Sequence, residues 1–196
     1  EHVEGKWIIV KPNNIDESGF SAAAYYFARR LHTTLHAPIG IIDSTWGGTR
    51  IEEWIPLGEF GSYPSLTRFS RTEADNKKID GTVPSEIYNG MVFPLTPFSI
   101  KGVIWYQGES NVTHQLAAHD YSDKMRALIS GWRKAFKNDM PFYYVQIAPY
   151  LYHLDRPLKV TSPELAALVR EAQTDALSTP NTGMVVINDL VDNFFD

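Results

Sequence analysis

Between Gly102 and Asn111 the chain reads GVIWYQGESN, and its second half sets one glycine, Gly108, among four side chains that exchange hydrogen bonds: Gln107, Glu109, Ser110 and Asn111. Such a cluster can hold an oxyanion, supply a carboxyl for proton transfer, or simply cap a helix. A second stretch with chemical potential is Asp43 to Thr49, DSTWGGT. Its adjacent glycines, Gly47 and Gly48, let the backbone turn sharply and bring N–H groups to a ligand with no side chain in the way. By composition alone the same pair is an ordinary strand-to-helix turn. Ester hydrolysis by the serine route needs a hydroxyl nucleophile, a histidine to take its proton, an acid to orient the histidine, and donors for the oxyanion. Donors are at hand in the amides near Gly47, Gly48 and Gly108 and in the side chains of Gln107 and Asn111.

The nucleophile is harder to find. Ser110 lies in Gly-Glu-Ser-Asn-Val, with Val112 where a nucleophile elbow has its second glycine. Ser44 precedes the glycine pair, and His114 and His119 follow the central run as conceivable bases. Glu109 with Asp43 would form the acid pair of a glycosidase-like site. His32 and His36 have the i, i+4 spacing of metal ligands, but no third ligand accompanies them, and they read as a solvated helix end.

These residues need elements to position them. Val103 to Tyr106 is an uncharged run of β-branched and aromatic residues, which predicts a strand buried on both faces. Ile39 to Ile42, Phe142 to Ile147 and Met184 to Ile187 predict further strands, and Trp7 to Val10 a short first one. Ser21 is placed to cap a helix with Ala24, Phe27, Ala28, Leu31 and Leu35 on the face that packs on the sheet, and Pro38 breaks it. Tyr121, Met125, Leu128, Ile129, Trp132 and Phe136 form the stripe of a second helix. Ser162 as N-cap, Pro163 at the first position and Glu164 behind it open a third, with Leu165, Leu168, Val169, Ala172 and Ala176 as its apolar side. Helix and strand alternate, which predicts an α/β fold with a doubly wound, mostly parallel, flavodoxin-like sheet. Ligands bind such sheets at the carboxyl ends of the strands, so Asp43 to Thr49, Gln107 to Asn111 and Asn188 to Asp192 are expected to converge on one edge. The charged stretch Pro64 to Gly81 reads as an exposed excursion with no catalytic role.

Composition agrees. A chain of 196 residues, 43% hydrophobic, is long enough for one substantial core, so residues 1–196 are expected to form a single domain. The net charge of −5 comes without a basic run, which argues against nucleic acid as a partner. No apolar stretch has the length of a membrane span. Cysteine is absent, excluding disulfides and a thiolate nucleophile.

Four stretches together, IGIIDSTWGGTRIEEW, YNGMVFPLTPFSIKG, GVIWYQGESN and LVREAQ followed by NTGMVVINDLVD, resemble in order and spacing the sialate O-acetylesterase family of carbohydrate esterases, a branch of the SGNH-hydrolase superfamily. The resemblance implies an SGNH-type fold, an acetylated carbohydrate as substrate, no metal or organic cofactor, and an oxyanion amide from the Gly47 and Gly48 loop. It gives Ser110 and Ser44 supporting positions. In the family the nucleophile sits in an upstream Gly-Gln-Ser-Asn-Met block and the base in an Ile-His-Pro motif beyond the last strand. Neither motif occurs in these 196 residues. The chain is therefore expected to be a fragment, with Asp196 as the triad acid and Asp192 as the alternative, and with little activity by itself. A missing first strand would expose apolar surface that a second copy or the missing segment covers. Family members are often secreted or periplasmic. The competing reading is a non-catalytic carbohydrate-binding module stacking sugars on Trp46, Trp54, Trp105 and Tyr106.

Overall fold

Three short strands, β1 (Val103–Trp105), β2 (Phe142–Val145) and β3 (Thr182–Val185), form a parallel sheet in the order β1-β2-β3. The computed structural model describes residues 4–11, 20–71, 78–113, 115–152, 160, 162 and 164–190. They fall into two compact units, 1–46 and 47–196.

In the first unit, helix α1 (Ala22–Leu35) starts where the sequence predicts. Ser21 Oγ accepts from the Ala24 N–H at 3.3 Å, satisfying a donor that the helix leaves over. His36 ends the helix in the left-handed conformation, with its N–H on the His32 carbonyl at 2.9 Å. Ala24 is the helix's buried residue, and Phe27 and Leu35 of the expected packing face are exposed. Residues 7–10 and 39–42 are not strands, contrary to expectation. A β-branched run becomes a strand only where a ladder partner lies beside it, and neither run enters the ladder of the sheet.

The second unit holds the sheet and its crossovers. Between β1 and β2 run the short helix α2 (Gln115–His119) and helix α3 (Tyr121–Phe136); between β2 and β3 runs helix α4 (Leu165–Asp175). Trp105 of β1 stands edge-on between Trp54 and Trp132 of α3, with ring centroids at 5.6 and 5.8 Å, and Phe142 of β2 closes the group. Each edge-to-face pair contributes about 0.5–1.5 kcal/mol beyond the area it buries. The predicted stripe of α3 is buried at Tyr121, Met125, Leu128, Ile129 and Trp132. Tyr144 of β2 fixes α4 to the same face, its OH donating to the Gln173 carbonyl at 2.8 Å.

The opposite face carries Ile104, Tyr143 and Val185, which are 41%, 47% and 58% exposed, so β1 is not buried on both faces as its composition suggests. The last strand lies two residues before the predicted one, because the register pairs Phe142 with Thr182 at its start and Val145 with Val185 at its end, where β2 stops. Helix α4 begins at Leu165, two residues after the predicted first position, and the Ser162 hydroxyl bonds the Glu164 carboxylate instead of capping it. Pro163 lies outside the described residues. The described part of the excursion, 64–71 and 78–81, is anchored, not floating. Pro64–Arg71 is a 3-10 run, whose period of three puts the fully buried Leu66 and Phe69 on one side. Among the described residues no helix is long and apolar enough to cross a membrane.

Candidate oxyanion site at the carboxyl edge of the sheet

Where β1 ends, the chain turns through Gln107 and Gly108. Gly108 has φ +150°, and a Cβ there would lie 2.6 Å from Ile147 Cγ2 and 3.3 Å from both Gln173 Nε2 and Tyr121 OH. Only glycine fits the turn. Gln107 binds the loop through its side-chain amide and its carbonyl. Its Nε2 donates to the Thr49 carbonyl at 3.1 Å and to Asn111 Oδ1 at 2.7 Å, while Tyr121 OH donates to its Oε1 at 2.9 Å. The Gln107 carbonyl accepts from Gln173 Nε2 at 3.1 Å. Asn111 Oδ1 also accepts from the Ile51 N–H at 3.1 Å, and Nδ2 donates to Glu52 Oε2 at 2.9 Å. Both amide protons of Gln107 are thus spent within the fold, and Asn111 is fully buried. Their side chains hold two loops together.

The second loop is the glycine pair. Gly47 and Gly48 are exposed, Gly48 has φ +78°, and the next residue, Thr49, receives the Gln107 amide. Gly47, Gly48, Gln107, Gly108, Glu109 and Asn111 are therefore gathered around one pair of hydrogen-bonded loops. Asp192, Asp196 and His114 lie outside the described residues. Asn188 to Leu190 form a turn beyond β3. Asp43, in the first unit, accepts from the Ser21 N–H and from Thr45 Oγ1, both at 3.0 Å. Trp54 and Trp105 are buried in the tryptophan stack and offer no surface to a sugar, which removes two of the four aromatics of a binding platform; Trp46 and Tyr106 are exposed. Among the described residues no group of three or more His, Cys, Asp or Glu side chains is placed to hold a metal.

Glu109 is the site's carboxyl. Burial pushes it above its ordinary value, against partial relief from the N–H groups of Glu109 and Gly108 and from the Tyr106 hydroxyl. The folded state thus binds this proton more tightly than the unfolded chain, whose reference value is 4.5. The cost of ionising Glu109 is absent below that value and complete above the folded one. Glu109→Gln is therefore expected to raise the thermal midpoint at pH 7 and to leave it unchanged near pH 4. A variant less stable than wild type at pH 7 would reverse the sign and refute this account.

Residues 10–194 match the family described as carbohydrate esterase, sialic acid-specific acetylesterase. The chain belongs to this family. It is 33% identical to the human sialate O-acetylesterase and 30% identical to that of Rattus norvegicus, each alignment covering 97% of the chain and 38% or 41% of the relative. It is also similar to the crystal structure of a carbohydrate acetylesterase from Xanthomonas citri, with a TM-score of 0.79 and 38% identity, over 100% of the chain and 40% of that structure. The chain spans about two fifths of the length of these relatives. Its α/β fold with a parallel sheet is of the SGNH-like kind.

In this acetylesterase-family chain three residues that hold the loops, Glu52, Lys124 and Gln173, are not among the candidates that the sequence offers. Lys124 left a signal, since it interrupts the apolar face of α3 three residues after Tyr121 and one before Met125. A lysine on that face is buried only with a partner. Gln173 closes the LVREAQ motif; fully buried, it accepts from the Ile147 N–H at 3.0 Å while donating to Gln107, and so joins the exits of β1 and β2.

Proposed function

We propose that the protein carrying this chain is a carbohydrate O-acetylesterase that hydrolyses acetyl esters on sugar hydroxyls, and that this chain supplies the oxyanion side of its site. The observation carrying the reading is the hydrogen-bonded pair of glycine loops, 47–49 and 107–111, at the carboxyl end of β1. An acetyl ester attacked by a hydroxyl passes through a tetrahedral intermediate, whose oxyanion needs preorganised N–H donors. Backbone amides at Gly47, Gly48 and Gly108 are suited to that role, because the side-chain amide of Gln107 is already committed. Of these, the Gly108 N–H also faces the Glu109 carboxylate, so it serves an oxyanion only once that carboxylate is protonated or displaced.

In this reading a serine and a histidine from outside these 196 residues act as nucleophile and base, and Asp196, or alternatively Asp192, orients the histidine. Attack gives an acetyl-serine and the free sugar hydroxyl, and water then releases acetate. The substrate class is an O-acetylated sugar, sialic acid included. The test is release of acetate from 4-nitrophenyl acetate and from 9-O-acetylated sialic acid, by the full-length protein and by the 196-residue chain. The full-length protein is expected to turn over both and the chain alone to show only residual rates. Robust turnover by the chain, abolished by Ser110→Ala, would overturn the assignment of the nucleophile. Inactivity of the full-length protein on both esters would overturn the function.

A further inference from the structure

Behind the two loops lies a line of charge that the reaction itself does not use. Lys124 of α3 is fully buried, and its Nζ lies 2.6 Å from Glu52 Oε1, 2.6 Å from Asp120 Oδ1 and 3.5 Å from the Ala117 carbonyl. Asp120 in turn accepts from Arg68, whose Nε donates to Asp80 at 3.1 Å. The line runs inward from Asp80 and Arg68 to Glu52, which is also fully buried. There its second oxygen, Oε2, takes the Asn111 amide at 2.9 Å.

Stability alone does not account for this arrangement. Exchanging a buried ion pair for apolar side chains of similar volume is often neutral or stabilising. What apolar side chains lack is a fixed carboxylate oxygen for Asn111. With Nδ2 anchored there, Asn111 Oδ1 faces the two donors that come from either loop, the Ile51 N–H and Gln107 Nε2, and Gln107 reaches on to Thr49. We propose that the ion pair of Glu52 with Lys124 is a positioning device, which sets the spacing of the 47–49 loop against the 107–111 loop by fixing the orientation of Asn111. The inference rests on the reading of these loops as the oxyanion side of the site. Glu52 and Lys124 are positioning residues. Both are sealed from solvent and act on a substrate only through Asn111 and Gln107.

The test compares two variants of the full-length protein, Glu52→Gln and the double variant Glu52→Gln with Lys124→Met. The second leaves no buried charge at either position and keeps the experiment interpretable if the first fails to fold. Hydrogen exchange is followed in peptides covering 47–52 and 107–112, with peptides covering β2 and β3 as the internal reference. The expected result is loop exchange about tenfold faster or more, with the strands unchanged. In steady-state hydrolysis of 4-nitrophenyl acetate, kcat is expected to fall about 100-fold with KM within about threefold of wild type, as for a displaced catalytic group. Unchanged loop exchange in a folded variant would overturn the proposal, and so would equal acceleration of loops and strands in both variants. Selective loop exchange in a protein inactive before mutation would uphold the positioning role and reject the esterase reading.

Discussion

Lys124→Met is expected to lower the free energy of unfolding at pH 7 by about 3–5 kcal/mol, the range for a buried ion pair broken on one side. Burial by itself raises the Glu52 carboxyl; the charge of Lys124, with hydrogen bonds from Lys124 and Asn111, turns the balance and holds it below the ordinary value of 4.5. A depressed folded value makes the contribution of Glu52 complete above the unfolded value and lost as pH falls through the folded one. Without Lys124 the burial penalty, the largest of the effects, is opposed only by the Asn111 and backbone hydrogen bonds, and the sign reverses. The variant's folded state then takes up a proton more readily than its unfolded chain. The deficit is therefore expected to be largest at pH 7 and to shrink by pH 4, where Glu52 is largely protonated in both states of the variant and the wild type has lost part of the contribution of the pair, because its unfolded chain takes up the proton. Urea unfolding at the two pH values measures this. An equal deficit at both would show that the loss comes from packing and not from the stranded carboxylate.

Gly108→Ala is expected to cost about 2–6 kcal/mol, combining about 1–3 kcal/mol for a side chain in an unfavourable positive-φ conformation with about 1–3 kcal/mol for overpacking. The overpacking has a named partner, Ile147 Cγ2, which would stand 2.6 Å from the new methyl group. Relief requires Ile147 to retreat, and Ile147 is fixed by its own N–H on Gln173 Oε1 at 3.0 Å. The effect is therefore expected to reach β2, with ester turnover in the full-length protein lost along with stability. Ile147→Leu with Gly108→Ala, which takes away the Cγ2 carbon, would recover part of the stability, and a stability loss below about 1 kcal/mol in the single variant would contradict the geometry.

Elements whose pattern is settled by local burial are legible in the amino-acid sequence. Helix α3 follows its apolar stripe from Tyr121 to Trp132, and β1 and β2 fall within their uncharged runs. The runs at 7–10 and 39–42 have the same composition and form no strand, because composition reports a tendency to pair and not the presence of a partner. The start of α4 lies two residues later than its cap signal implies, because the side chains of Ser162 and Glu164 bond each other and the cap position passes to Glu164. At the site, the glycines and amides are recognisable because their types are tied to backbone geometry. Their supports are not. Glu52 sits in an ordinary acidic pair beside Glu53, and nothing local says which of the two turns inward to Lys124.

The bond between Glu52 and Lys124 spans 72 residues, and that from Gln107 to Thr49 spans 58. Chains are made from the amino end, so the 47–52 segment emerges long before α3 exists to meet it. Until then Glu52 stays hydrated and ionised, and the glycine loop beside it has no fixed shape to adopt from its own neighbours. Closure of so long a loop comes after the local helices have formed. Burial of the carboxylate, neutralisation by Lys124 and alignment of the two loops are then one event, and a nascent chain that has passed β1 without α3 holds the residues of the site but not the site.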